Sequence, residues 1–358
     1  MHASTSSSTI DRTWAVILAG GIGSRFWPAS TPERPKQILP LATDRPLITD
    51  TVERIRPLIP LDRTRILTGA SMVEPMRGAV PGLERDHFLV EPEGRGTAPV
   101  LVWAAHVIAR TDPHAVMVSL HADHVIRPAA AFRDLVATAA AAADRHDRLF
   151  TVGVRPTRPE TGYGYIRRGA PLDDAGASSV DAFVEKPDAA TARRYVDSGE
   201  YLWNSGIFVW RVDRLLREVR AVTPELAELL PLLESGDVDG FYDRAPNLSV
   251  DRGLLERSDR VGVVDATFEW DDVGTWDAVG RTRETDDAGN VLEGAGALSD
   301  ARDCVVWNET PEPVVVFGAS DLVVVRRRGV TLVLPRGRAA DLKDLLADLP
   351  DHIREVPS

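Results

Sequence analysis

Trp14-Ala15-Val16-Ile17-Leu18-Ala19 runs directly into Gly20-Gly21-Ile22-Gly23-Ser24-Arg25. The first six residues read as a short buried strand. The glycines that follow let backbone N–H groups approach an anion closely. Short apolar segments then alternate with helical patterns. Arg65–Thr68, His87–Val90, Ala115–Leu120 and Leu149–Val154 read as strands. Ile48–Leu58, Met72–Ala79, Ala98–Arg110 and Ala131–Arg145 read as helices. This alternation predicts an α/β protein with a parallel or mixed sheet covered by helices on both faces. Ligands of such sheets sit at the carboxyl ends of the strands, so the informative residues should follow strands.

The second half is less regular. Ala182–Val184 and Ile207–Trp210 read as strands, and Val212–Ala221 and Pro224–Leu232 as helices. After Asp286, the short segments Val305–Trp307, Val314–Phe317, Leu322–Val325 and Val330–Leu334 are β-rich. Ala339–Leu349 is expected to close the chain as one helix. The expected division is a disordered Ser/Thr-rich tail over 1–9, a catalytic domain over 10–285 and a small β domain with a terminal helix over 286–358.

Composition excludes several classes. The net charge of -12 argues against nucleic acid as the main partner. The lone cysteine, Cys304, excludes a disulfide scaffold or a cysteine zinc cluster. With no signal peptide and no apolar run near the roughly 18 residues of a spanning helix, no membrane role and a cytoplasmic location are expected. Lys36, Lys186 and Lys343 are the only lysines, so 39 of the 42 basic residues are arginine. A compact ammonium and a planar guanidinium are not interchangeable at a tight anion site. Lys36 and Lys186 stand in unusual contexts, Arg34-Pro35-Lys36-Gln37 and Val184-Glu185-Lys186-Pro187, and are site candidates on that ground.

The glycine loop fails two familiar tests. A dinucleotide fingerprint needs a third glycine where Phe26 stands, and a phosphate-binding Walker loop needs a lysine directly after its last glycine. Three glycines after an N-terminal strand, with Arg25, Arg34 and Lys36 close behind, still favour a phosphate-rich ligand over a plain turn.

Gly20-Gly21-Ile22-Gly23-Ser24-Arg25-Phe26-Trp27-Pro28 with Pro35-Lys36-Gln37 resembles the signature of sugar-nucleotide pyrophosphorylases, in the branch that guanylylates mannose 1-phosphate. The resemblance implies a Rossmann-like nucleotidyltransferase sheet with helices on both faces, plus a small C-terminal β domain of left-handed β-helix type. It implies GTP and mannose 1-phosphate as substrates, Mg²⁺ as cofactor and a homodimer through the β tail. Leu18, Ala19, Gly20, Gly21, Gly23 and Ser24 would wrap the nucleotide, with Arg25 and Lys36 on its phosphates as the catalytic pair.

Later segments carry the same resemblance. Glu91-Pro92-Glu93-Gly94-Arg95-Gly96-Thr97-Ala98-Pro99 is similar to the base-recognition segment and implies Glu91, Arg95, Thr97 and Ala98 as nucleotide-binding. Gly96 stands where the family usually has Asn. Read locally, Thr97 is a helix cap. In Ala122-Asp123-His124 the resemblance makes Asp123 a metal ligand, with His124 orienting the loop. In Trp270-Asp271-Asp272-Val273-Gly274 it makes Asp272 the second ligand, with Asp271 solvated. Mg²⁺ prefers oxygen donors, so His121 and His124 are secondary. Gly164, Glu185, Lys186 and Asn204 would hold the sugar phosphate. Ser249-Val250-Asp251 reads as structural, a cap for a helix over 252–256.

Three readings compete with the main one: the same fold with another sugar or base, as a guanylyl- or other nucleotidyltransferase for a different hexose 1-phosphate, a non-catalytic sugar-nucleotide sensor, and a nicotinamide dehydrogenase. The intact charged set argues against the sensor, and Phe26 argues against the dehydrogenase.

Overall fold

The computed structural model describes residues 9–354. The chain begins with β1 (Thr13–Leu18), α1 (Leu47–Ile55), β2 (Thr64–Gly69), α2 (Val73–Ala79), β3 (Phe88–Glu91) and α3 (Thr97–Ala109). It continues through β4 (Val116–His121), β5 (Val125–Arg127), α4 (Ala129–His146), β6 (Leu149–Val154), β7 (Gly164–Pro171), β8 (Ala177–Glu185) and α5 (Ala189–Ser198). β9 (Tyr201–Arg211) leads into the helices α6 (Val212–Val222), α7 (Pro224–Ala227), α8 (Leu230–Ser235) and α9 (Val238–Arg244), followed by β10 (Val261–Asp265), β11 (Glu269–Asp271) and α10 (Trp276–Thr282).

Nine strands form one mixed sheet in the order β3-β2-β1-β4-β9-β6-β10-β8-β7. β3, β2, β1 and β4 run parallel, and β9 pairs antiparallel with both β4 and β6. Period-2 alternation divides β1 between two cores. Ala15 and Ile17 pack with α1, α2 and α4 on one face. Val16 and Leu18 pack with α3, α6 and the short helices on the other. Helix α3 is apolar around most of its circumference because it is buried between sheet and helices. The predicted doubly covered sheet is therefore present.

The carboxyl ends of β1, β2, β3 and β4 share one edge of this sheet. β5 and β11 form a separate two-stranded ribbon with Asp271 opposite Val125. That ribbon brings the Asp272 loop to the Asp123 loop across a long stretch of sequence.

The C-terminal region contains β12 (Val291–Glu293), β13 (Gly296–Ser299), β14 (Val305–Asn308), β15 (Val314–Phe317), β16 (Leu322–Arg327) and β17 (Val330–Pro335). β12, β14 and β16 stack in parallel, β13 and β15 form a second parallel stack, and β17 caps β16 antiparallel. Such coiling of short parallel strands is consistent with a left-handed β-helix. A 3-10 stretch, Arg336–Asp341, leads into α11 (Leu342–Asp348) and α12 (Asp351–Arg354). Val305, Trp307 and Val323 of this region share an apolar core with Phe26, Trp27 and Trp276. No helix among the described residues is long and apolar enough to cross a membrane.

Several expectations need correction. The tail expected over 1–9 falls on residues outside the described range, except Thr9, which is folded: its carbonyl accepts from Thr13 Oγ1 at 2.7 Å and it is buried. The helix expected over 224–232 is two short helices, broken after Ala227 with Pro231 near the start of the second. The closing helix is likewise broken, because the chain from Arg336 first turns as 3-10.

Candidate active site

The glycine loop after β1, the Asp123 loop after β4 and the Asp272 loop after β11 line one cleft of about 460 Å³. Lys36 sits at its centre. Its ammonium donates to Asp123 Oδ2 at 2.8 Å and to the Asp272 carbonyl at 3.2 Å, and its side chain is only 7% exposed. Gly23 is a glycine for two reasons: φ is +76°, and a Cβ there would come within 2.4 Å of Lys36 Cβ. Gln37 holds the loop from below, donating to the Gly20 and Gly21 carbonyls at 3.2 and 3.0 Å. Arg25 is exposed, with Nη1 3.4 Å from the Gly274 carbonyl.

Electrostatics differ sharply between the two carboxylates. Burial pushes Asp123 up, but the Lys36 ammonium and the neighbouring imidazoles outweigh it, so its pKa is lowered to about 2. Asp272 is raised, chiefly by burial, against the hydroxyl that Tyr163 donates to Oδ1 at 2.7 Å. His121 and His124 stack on each other, with ring centroids 4.5 Å apart. Burial lowers both, so they are neutral near pH 7. His124 Nδ1 accepts from Trp270 Nε1 at 3.1 Å, which fixes its ring. One ligand atom from each of His121, Asp123 and His124 lies within 4.8 Å of the others.

A divalent cation fits the chemistry of this cleft. Lys36 already shows that positive charge is drawn to the point between Asp123 and Asp272. Lys36 and Tyr163 each engage one carboxylate oxygen, so each carboxylate keeps a second oxygen, the donor type hard cations require.

The residues expected at the sugar phosphate form a second cluster. Gly164 pairs with Glu185 across β7 and β8, and a Cβ on Gly164 would meet Glu185 Oε2 at 2.7 Å. Lys186 Nζ donates to Glu185 Oε1 at 2.5 Å. Lys186 has φ +52°, a left-handed conformation uncommon outside glycine. Asn204 is buried, accepting from Thr151 Oγ1 and donating to Asp251 Oδ1, both at 2.8 Å. Tyr163 links this cluster to the cleft through Asp272.

Residues 14–288 match the family described as nucleotidyl transferase. The chain belongs to the nucleotidyl transferase family. It is 34% identical over 349 residues to the xanthan biosynthesis protein XanB of Xanthomonas campestris pv. campestris (strain B100), covering 93% of this chain and 72% of that one. It is 33% identical over 366 residues to mannose-1-phosphate guanylyltransferase of Escherichia coli, covering 95% and 74%. Among solved structures, a Thermus thermophilus protein described as a mannose-1-phosphate geranyltransferase superposes with a TM-score of 0.86. The two are 34% identical, over 94% of this chain and 99% of that one.

The third cluster of this nucleotidyl transferase holds Glu91, Arg95, Thr97 and Ala98. Its backbone is clamped by residues 248–250: Leu248 N donates to the Arg95 carbonyl at 3.0 Å, and Ala98 N donates to the Leu248 carbonyl at 2.9 Å. Gly96, not Thr97, precedes the first helical residue of α3, and Thr97 Oγ1 accepts from Val250 N at 2.9 Å instead of capping the helix. The glycine at 96 has a local cause. Its φ is +82°, and a Cβ would meet the Leu248 carbonyl oxygen at 2.5 Å. Gly96→Ala is expected to destabilise the fold by about 1–3 kcal/mol, measured by urea denaturation; an unchanged midpoint would contradict this. Glu91, half-buried beside the Tyr242 hydroxyl at 3.3 Å, is raised to about 7 by burial.

Two assignments change. Asp271 is not solvated: its side chain is 12% exposed, its Oδ1 accepts from Val273 N at 2.8 Å, and it pairs with Arg281 at 2.9 Å. It shapes the loop that holds Val273 at φ +45° and so aims Asp272 into the cleft. Asp251 is more than structural. It orients Asn204, and burial followed by the Glu185 carboxylate pushes it up to about 6. Arg158, absent from the sequence reading, lies 5.1 Å from the Trp203 ring centroid and donates to Tyr163 Oη at 3.3 Å.

Asp251 gives a pH prediction. The folded chain keeps its proton up to about pH 6, whereas an unfolded Asp releases it near ~3.9. The folded state therefore binds more protons between those values, and this contribution to stability, full at lower pH, is lost as pH rises through 6. Lys186 and Asn204 oppose the shift, and Glu185 adds to it. Asp251→Asn removes the term, so its Tm relative to the parent should rise between pH 4 and pH 7. A difference that stays constant across that range would contradict the assignment.

Proposed function

We propose that this nucleotidyl transferase moves GMP from GTP to α-D-mannose 1-phosphate, giving GDP-mannose and pyrophosphate. The observation that carries the reading is the Lys36 ammonium bridging Asp123 and the Asp272 loop beneath a glycine-rich phosphate loop. The choice of base and sugar is supported by the relatives named mannose-1-phosphate guanylyltransferase, 32% and 33% identical over 95% of this chain.

The sugar phosphate is its own nucleophile. The second pKa of a phosphomonoester is about 6, so it is largely dianionic near pH 7 and its oxygen attacks the α-phosphorus without a general base. The α-phosphorus–oxygen bond to pyrophosphate breaks as the new bond forms, and pyrophosphate leaves with the electron pair. The protein's task is positioning and charge neutralisation. In this reading Leu18, Ala19, Gly20, Gly21, Gly23 and Ser24 cradle the triphosphate. Arg25 moves from Gly274 onto the α-phosphate and leaving group, and Lys36 turns from the Asp123 carboxylate and the Asp272 carbonyl to the phosphates. Glu91, Arg95, Thr97 and Ala98 meet the base. Glu185, Asn204 and the backbone of Gly164 hold sugar hydroxyls, and Lys186 releases Glu185 to steer the sugar phosphate.

Asp123 and Asp272 would hold Mg²⁺, which when bound supplies positive charge shared by the two substrates. His121 and His124 would shape the loop and leave the cation to the carboxylates, because Mg²⁺ prefers oxygen donors to imidazole nitrogen.

The proposed division remains a catalytic domain over 10–285 and a β domain over 286–358, with an apolar core across the boundary. A homodimer is supported by the exposed Val315, Phe317 and Val333 on the β region, and light scattering of the full chain tests it. A cytoplasmic location fits the buried, unpaired Cys304, and the net charge of -12 disfavours nucleic acid.

Pyrophosphate release across four nucleoside triphosphates and a panel of hexose 1-phosphates tests the specificity. Release confined to GTP with mannose 1-phosphate is expected. Equal or faster release with another pair would move the substrate assignment.

A further inference from the structure

Lys343, the third lysine, lies on the C-terminal helix α11, beyond the residues 14–288 that match the nucleotidyl transferase family. It nevertheless lines the same cleft as Gly20–Phe26, Lys36, Asp123 and Asp272. The helix is fixed there. Leu342, 1% exposed, packs in the core that holds Phe26, Trp27, Val273 and Trp276. Trp27 Nε1 donates to the Arg354 carbonyl at 3.0 Å, tying down α12 just beyond. Arg336 anchors the preceding 3-10 stretch through Asp277 at 2.9 Å and the Asp303 carbonyl at 3.0 Å.

Charge balance gives this placement a purpose. The cleft presents three cationic side chains, Arg25, Lys36 and Lys343, against two carboxylates, Asp123 and Asp272. Lys36 is already engaged with Asp123 and the Asp272 carbonyl. Among the described residues, no carboxylate oxygen lies within 4 Å of the Lys343 ammonium, in a chain whose basic side chains are otherwise nearly all arginine and mostly ion-paired. We propose that Lys343 binds the polyphosphate arm of the nucleotide, so that the C-terminal helix completes a phosphate site begun by the N-terminal glycine loop. The inference rests on the nucleotidyl-transfer reading above and extends it to the C-terminal region.

The test separates binding of the two substrates in the full-length chain. Lys343→Gln is expected to raise KM for GTP about tenfold, as for loss of one partly exposed ionic hydrogen bond. KM for mannose 1-phosphate should stay within about twofold, and Tm should be unchanged. Lys343→Arg should recover most of the GTP affinity, and Lys343→Glu should weaken it further. A titration with inorganic pyrophosphate alone, followed by calorimetry, should show the same order without turnover. If Lys343→Gln leaves both GTP KM and pyrophosphate affinity unchanged, the inference is wrong. It is equally wrong if both KM values and Tm move together, since that marks a structural role. If the parent chain turns over no GTP but binds pyrophosphate, and Lys343→Gln loses that binding, Lys343 keeps its assignment and the transfer reading fails.

Discussion

Lys36→Gln should lower kcat about 10²–10³-fold, the loss typical of one preorganised charge-stabilising donor. Lys36 is the best-held cation in the cleft: its side chain is 7% exposed, its stem passes Gly23 and its ammonium lies 5.4 Å from the Phe26 ring centroid. Glutamine keeps a donor, one bond shorter than the ammonium, but removes the charge. It also leaves Asp123 beside two neutral imidazoles with no cation in contact, so its carboxyl should rise from about 2. Removing one partner of a largely buried pair destabilises as well, so Tm should fall. Steady-state kinetics at a temperature well below the variant's Tm separates the two effects. A Lys36→Gln enzyme within threefold of the parent rate would remove Lys36 from the mechanism.

Asp123→Asn and Asp272→Asn should each cost about 10²–10³ in kcat. The two carboxylates serve one function, so the double variant should be scarcely worse than the poorer single one. Asparagine at 272 can still accept the Tyr163 hydroxyl now 2.7 Å from Oδ1, so the loop should survive and the loss should report charge. The Mg²⁺ concentration for half-maximal rate should rise in each variant. Wild-type rates in both single variants would contradict the assignment of the metal site.

The parts of this protein that were legible from sequence are those whose signal is local. β1 and its glycine loop combine an apolar run with residues that only a close backbone approach requires, and the structure has both. Lys36 and Asp123 stood out through rarity and position after a strand, and they are in contact. β10 was missed: it is a five-residue run interrupted by Gly262. Gly262 itself answers to a distant residue, since a Cβ there would strike Phe150 at 2.5 Å.

Residues defined by distant partners were misread or missed. Asp271 looked solvated because nothing adjacent in sequence shows that Arg281, across a turn of chain and helix α10, folds back on it. Asp251 looked like part of a capped turn until β9 brought Asn204 against it. Thr97 carried a capping signature, but its hydroxyl is used by Val250 and the backbone at Gly96 takes a conformation that only glycine tolerates well. Lys343 was counted as a rare lysine without a site, because its place depends on how the β region docks.

The most direct test is a phosphorus NMR spectrum of the purified chain incubated with GTP, mannose 1-phosphate and Mg²⁺. GDP-mannose and pyrophosphate should appear in equal amounts as both substrates disappear, and a chelator should stop the change. Unaltered substrate signals in the presence of Mg²⁺, or GTP hydrolysed with mannose 1-phosphate left intact, would contradict the account.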